Sequence, residues 1–241
     1  PEGEGWIQDE DTLDTWFSSG LWTFSTLGWP EETKDMKRFH STSVLETGHD
    51  ILPFWVMRMI LMSTYLLGEI PFKTVYLHGM VQNKEGKKMS KSSGDAIDPL
   101  DISEKFGADA LRLSLIIGNG PGNDIRVSEE KIRAYRKFSN KIWNASRFVL
   151  ENANTKYFGE DNIPVITKKN KKELDDLNEM VIDVTKDIEE YRFYIAGEKL
   201  YHYFWHNFAD VIIERNKSVL IDENSSDEEL ASASYTLYKI L

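Results

Sequence analysis

The sequence predicts an α/β segment followed by an all-α segment, and three observations carry that prediction. In the first half, short β-branched and aromatic runs alternate with helical patterns, as in part of a parallel sheet with crossover helices. Beyond about residue 130 every periodic run repeats at three and four residues, and no strand run appears. The 241 residues, 41% apolar and 12% aromatic, suffice for one large core or two smaller ones, which excludes a disordered chain.

In chain order, residues 43–46 read as a strand ending near Thr47 and Gly48. Asp50 stands where it can cap the helix that follows, with Pro53 in its first turn. The greasy run 51–67 is broken by Arg58, Ser63 and Thr64, and a span needs about 20 apolar residues, so it is expected to be a buried helix and not a membrane anchor. Residues 74–78 form a second strand, Lys84-Glu85-Gly86 a turn, Asp98-Pro99 another turn, and 100–106 and 108–117 two helices. A half sheet of this kind is expected to leave strand edges and an apolar face uncovered. Tyr135, Phe138, Ile142, Ala145 and Val149 then mark an amphipathic helix, 152–164 a loop, and 174–190 and 196–217 two further helices. The aromatic stripe from Tyr191 to Phe208 is expected to be mostly core. The change of character sets a domain boundary near 120–135.

No cysteine means no disulfide framework and no thiolate metal site, so nothing asks for a secreted protein. The first residues, Pro-Glu-Gly-Glu-Gly, have neither the basic nor the apolar region of a signal peptide. With no initiator Met, and an apolar run at 235–241, the chain reads as a segment of a longer protein. A net charge of −11 argues against general nucleic-acid binding, but the basic residues cluster. Lys131, Arg133, Arg136, Lys137, Lys141 and Arg147 occur with no acid among them, and smaller clusters lie at 84–91 and 168–172. Each alone reads as a solvated face; together they permit local phosphate contacts.

Lys88-Met89-Ser90-Lys91-Ser92, followed by Ser93 and Gly94, is the most informative stretch. Two lysines three apart on a Ser- and Gly-rich loop can wrap a polyphosphate, with backbone N–H and hydroxyl donors and mobile ammonium charges. Such cations stabilise the charge that develops on a transferring phosphate. A fixed five-residue match arises by chance about once in ten thousand chains of this length.

This loop resembles the KMSKS signature of class I aminoacyl-tRNA synthetases, and its surroundings narrow the resemblance to the valyl-tRNA synthetases. The stretches at 13–19 and 24–30 (Leu-Asp-Thr-Trp-Phe-Ser-Ser and Phe-Ser-Thr-Leu-Gly-Trp-Pro) look like that family's return to the catalytic domain after its editing insertion. Thr47-Gly48-His49-Asp50-Ile51 with Phe54-Trp55-Val56-Met57-Arg58-Met59 resembles its TG-x-DI…FWV-x-RM segment. The strand at 71–79 resembles its PFKTVY-x-HG, and Asn140 to Ala145 with Phe204-Trp205 its helical anticodon-binding domain. The resemblance implies the C-terminal half of a Rossmann-like parallel-sheet catalytic domain over 1–125, then a helical-bundle anticodon-binding domain, truncated, over 126–241.

It also implies a function: ATP-dependent activation of valine to valyl-adenylate and transfer to tRNA(Val). ATP enters as its Mg2+ complex, with no protein-bound metal in this segment. By resemblance Lys88 and Lys91 are catalytic, with Ser90 assisting Lys91 at the ATP phosphates. Gly48, Asp50 and Thr47 hold the ribose, and His78 and Gly79 line the adenine pocket. Trp16, Ile51 and Trp55 surround the amino-acid side chain, and Arg136, Lys137 and Lys141 bind tRNA. Read without the resemblance, Asp50 is a helix cap, Trp16 and Trp55 core aromatics, and His78 a structural histidine. Rigid indole walls reject a side chain one methylene larger by roughly 1–3 kcal/mol but cannot strongly reject threonine, so editing must occur elsewhere. A cytoplasmic protein, monomeric at full length and not membrane-bound, is expected. The alternatives are an isoleucyl- or leucyl-type synthetase, or a non-catalytic tRNA-binding module.

Two departures matter. Asp95 stands where the family usually has Asn, bringing a negative charge toward a phosphate site. None of the five histidines forms the HIGH signature that class I activation requires, so the isolated segment is expected to be inactive. His202 and His206 are four apart but lie within an aromatic helix, which does not support a metal site.

Overall fold

The computed structural model describes residues 5, 7–83, 86, 87, 89, 98–159 and 162–241. They fall into two compact units, Pro1–Met80 with Pro121–Asn123, and Val81–Gly120 with Asp124–Leu241.

The first unit is a parallel strand pair with helices. Its elements are α1 (Thr15–Gly20), α2 (Trp22–Ser25), α3 (Lys34–Phe39), β1 (Thr42–Gly48), α4 (Met57–Leu67) and β2 (Phe72–His78). Strand β1 carries Val44 and Leu45 side by side, and β2 carries Phe, Val and Tyr, side chains that suit a half-buried pleat. The strands pair in parallel with Leu45 opposite Val75, Thr47 opposite Leu77 and Gly48 opposite His78. Leu45, Val56, Met59 and Phe72 form the core beneath them. Helix α1 reaches α4 closely because Gly20 has no side chain: a Cβ there would lie 2.6 Å from the Met62 sulfur. Gly68, with φ +75°, ends α4 in the left-handed conformation that glycine adopts without strain.

Two expectations for this unit are corrected. Asp50 does not cap the helix. The entry is a 3₁₀ turn (His49–Ile51) and one π turn (Leu52–Val56) before α4, and no side-chain cap bond opens any of the three. Nor is the run buried. Length and composition alone would let residues His49–Leu67 cross a membrane, yet only 17% of that span is buried here. Two strands offer one small face, which Val56 and Met59 cover, while Met57 (59% exposed), Leu61 (67%) and Tyr65 (87%) meet solvent. The uncovered apolar face lies on helix α4, not on the sheet.

The second unit begins with β3 (Val81–Gln82), paired in parallel with β4 (Ile125–Arg126), a two-residue strand too short to show in the sequence. Helices α5 (Pro99–Phe106) and α6 (Ala108–Ile116) turn about Gly107, at φ +93°. Ile102, Phe106, Ala110, Val127 and Ile132 make its first cluster. The long helix α7 (Glu129–Asn152) is opened by Ser128, whose hydroxyl accepts the Lys131 N–H at 3.2 Å.

Then come α8 (Lys168–Glu189), α9 (Phe193–His202), a π stretch (Tyr203–Ile212), α10 (Ile213–Ile221) and α11 (Asp227–Ile240). No strand occurs after residue 130 among the described residues. Ala145, Val149, Phe208, Ile212 and Leu237 unite α7, the π stretch and α11 in a second cluster. The aromatic stripe is mostly half-buried, with Phe208 fully buried and Phe193 exposed; Phe138 packs on Tyr201 at 4.6 Å and on Phe204 at 6.0 Å between ring centroids. Helix α11 is opened by a capping box between Ser226 and Glu229.

Candidate functional site

The first unit gathers its candidate residues at the carboxyl ends of two parallel strands, the edge where open α/β sheets bind ligands. Because Gly48 and His78 are register partners, the residues after each strand end are neighbours. Thr47 and Gly79 are buried, while Asp50 is exposed and His78 half-buried. A Cβ built on Gly48 would lie 2.7 Å from Asp50 Oδ1, 3.5 Å from His78 Cε1 and 3.7 Å from the Met80 sulfur. Gly48, Asp50 and His78 thus meet around one missing side chain, although His78 comes from the neighbouring strand.

His78 is fixed on both edges. Its Nδ1 donates to the Gly79 carbonyl at 2.8 Å, and its Nε2 faces Glu46 Oε1 at 3.4 Å. The His49 Nδ1 lies 3.4 Å from the His78 carbonyl oxygen and ties the 3₁₀ turn to the end of β2. Glu46 is the residue that sequence reasoning missed. Its signal was the strand period of two, which puts it on the same face as Gly48.

The aromatic candidates divide into two pairs. Trp16 lies 6.0 Å from Phe54, and Trp55 lies 6.4 Å from Trp22. The Trp55 indole N–H donates to the Ser19 carbonyl at 3.0 Å, so Trp55 fastens the α1 end to the helix entry and presents a ring face instead of a donor. Ile51 is half-buried in the same turn, and Arg58 reaches Asp14 at 3.7 Å. Trp22 (53% exposed) and Phe54 (51%) leave this aromatic surface open to solvent.

In the second unit, Lys88, Ser90, Lys91, Ser92 and Asp95 lie outside the described residues. Residues that bracket them are anchored. The Asn83 N–H donates to the Lys87 carbonyl at 2.9 Å and the Gly86 N–H to the Asn83 carbonyl at 3.0 Å, Met89 packs on the Ile102–Phe106 cluster, and Asp98 caps α5 through the Leu100 N–H at 2.8 Å.

The basic residues of α7 differ in what they touch. Arg136 donates to the Lys105 carbonyl at 3.2 Å, and Lys137 is exposed with no ion-pair partner among the described residues. Lys141 is bonded to Asp210 at 2.7 Å and lies 5.6 Å from the Trp205 ring. Lys131 donates to the Ile117 carbonyl at 3.0 Å, and burial pushes its ammonium below the usual lysine range. Elsewhere in this unit Asp187, almost fully buried, binds Lys199 at 2.7 Å and Arg192 at 2.7 and 2.9 Å; these donors hold its carboxyl below the usual range. Burial with Asp176 and Glu173 nearby pushes Tyr203 up to about 12. Among the described residues no three His, Asp or Glu side chains gather as a metal cluster.

Residues 2–128 match the family described as tRNA synthetases class I (I, L, M and V), and residues 170–241 match the anticodon-binding domain of tRNA ligase. The valine–tRNA ligase of Clostridium acetobutylicum is 49% identical over 97% of this chain and 26% of its own length. That of Streptococcus pneumoniae is 46% identical over 100% of the chain and 28% of its own length. The chain therefore spans about a quarter of the curated relatives that it matches. In fold it resembles the Agrobacterium radiobacter LeuRS solved in a ternary complex with tRNA, with a TM-score of 0.74 and 19% identity over 97% of this chain and 30% of that one. The Mycobacterium tuberculosis methionyl-tRNA synthetase bound to methionyl-adenylate gives 0.70 and 21% over 90% and 43%.

Proposed function

Since the chain belongs to the class I tRNA synthetases (I, L, M and V), we propose that it is the part of a valine–tRNA ligase that closes over ATP and opens the tRNA-binding region. The observation that carries the choice of valine is its identity of 45–50% to valine–tRNA ligases across almost its whole length. On this reading residues 1–125 are the second half of the catalytic domain and 126–241 the start of the helical anticodon-binding domain.

The valine carboxylate attacks the α-phosphate of Mg2+-bound ATP in line, pyrophosphate leaves, and the acyl group passes to the terminal ribose of tRNA(Val). No covalent protein intermediate is needed; the protein supplies position and charge. Lys88 and Lys91, with Ser90, stabilise the departing phosphates. Gly48 leaves room for Asp50 to hold the ribose beside Thr47, and His78 and Gly79 border the adenine. Trp16, Ile51 and Trp55 wall the valine side chain, and Arg136 and Lys137 serve tRNA, while Lys141 is engaged with Asp210. The compartment that follows is the cytoplasm.

The test is pyrophosphate exchange in a complete ligase whose matching quarter is replaced by residues 1–241, with valine, isoleucine and leucine compared. Valine should be activated fastest, and Lys91→Ala should lower kcat with little change in valine KM, because its charge acts mainly in the transition state. Faster exchange with isoleucine or leucine would overturn the assignment, and an unchanged kcat would remove Lys91 from the chemistry.

A further inference from the structure

Helix α7 buries its aromatic side chains with one exception. Tyr135 and Phe138 pack against Tyr201, whereas Trp143 is 71% exposed, with no ring contact or hydrogen bond among the described residues. An indole is among the side chains that gain most from burial, and this one projects from a polar face. Arg136, Lys137, Asn140, Trp143, Asn144 and Arg147 recur at steps of three and four and are all exposed, so they share one side of the helix. From Arg136 to Arg147 that side runs about 16 Å.

The charge on this side is unusual for the chain. Between Lys131 and Leu150 there is no acidic residue, although the whole sequence carries −11. Three of the six cations have internal partners, Lys131 on the Ile117 carbonyl, Arg136 through one guanidinium nitrogen on the Lys105 carbonyl, and Lys141 on Asp210. Arg147 has only a loose pairing with Glu151 at 3.9 Å, and Lys137 has none among the described residues. An exposed aromatic ring flanked by amide side chains and available cations is the chemistry that receives unpaired nucleotides: bases stack on the ring while phosphates meet Arg and Lys. A protein partner would favour an apolar surround for the indole, and the neighbours here are Arg and Asn.

We infer that Trp143 is a base-stacking residue for unpaired nucleotides of the tRNA, with Arg136, Lys137 and Arg147 as phosphate contacts on either side of it. This rests on the proposed tRNA partnership. It adds Trp143 and Arg147 to the tRNA contacts of α7, a helix that lies between the two family matches.

The experiment titrates the 241-residue chain with a tRNA(Val) transcript and with a fully paired RNA duplex, each at several salt concentrations. Trp143→Ala should weaken tRNA binding about tenfold at every salt concentration with an unchanged salt slope, since stacking releases no counterions. Trp143→Phe should restore most of the loss, and the duplex should not distinguish the variants. Lys137→Ala should instead flatten the slope by about one. Trp143→Ala binding as tightly as the parent, or losing as much on the duplex as on the tRNA, would overturn the stacking role. A parent chain with no salt-dependent tRNA affinity would overturn the partnership itself and the inference with it.

Discussion

Replacing Gly48 by alanine tests whether the meeting of Asp50 and His78 at the strand ends serves ATP. The backbone there, at φ −65° and ψ 143°, accepts any L-residue, so the added methyl acts through space alone. Its position 2.7 Å from Asp50 Oδ1 requires a displacement of 0.3 Å to reach the shortest contact that real Cβ atoms show and 0.7 Å to reach ordinary contact. Asp50 is exposed and can yield toward solvent, so the melting temperature should stay within about 2 °C of the parent. Catalysis is less forgiving. If a misplacement of about 1 Å costs about a hundredfold, this one should lower kcat/KM for ATP roughly 4- to 25-fold, or about 1–2 kcal/mol. Pyrophosphate exchange in the hybrid ligase, with ATP varied at saturating valine, measures it. A variant within twofold of the parent would show that Asp50 does not position the nucleotide.

Residues 1–241 alone should give no valine-dependent exchange above background, because the sequence lacks a HIGH signature; clear activity would refute this. Ser232→Ala should cost about 2–3 kcal/mol by urea unfolding, since its buried hydroxyl accepts from the Thr167 N–H and the Asn170 amide, both at 3.0 Å, and two orphaned donors would remain. Asp187 has a depressed folded pKa, so its contribution is complete above the unfolded value near 4 and is lost as pH falls through that range. The urea midpoint of Asp187→Asn should therefore fall less between pH 7 and pH 3 than that of the parent; equal losses would show that the carboxylate is not coupled to folding. Lys141→Ala should leave the salt slope of tRNA binding unchanged, because Asp210 already holds that charge, and a slope reduced by one would place Lys141 on the RNA.

What the sequence could disclose depended on how local the cause was. Strands β1 and β2 follow from short β-branched and aromatic runs, and helices α5, α6 and α7 from three-four spacing, all within a few residues, and were legible. Strand β4 was not, because two residues carry no period. Helix α11 was not read, although Ser226 and Glu229 stand at the spacing of a capping box. Asp50 was misplaced as a cap because a 3₁₀ turn and a π turn stand where a regular helix start was assumed. At the strand edge, resemblance named Gly48, Asp50 and His78, while Glu46 required knowing the pairing register. Lys141 looked like its basic neighbours because its partner, Asp210, lies 69 residues away.

The open side of α4 governs how the chain behaves in a test tube. Copies carrying −11 repel one another in dilute buffer, which keeps the thioether and phenol groups of Met57 and Tyr65 apart. At physiological ionic strength the repulsion decays over about 8 Å, and the greasy stripes can then touch. Turbidity should rise with sodium chloride, and mild non-ionic detergent should clear it. Conditions chosen for RNA titrations must therefore be checked by light scattering before any salt slope is interpreted.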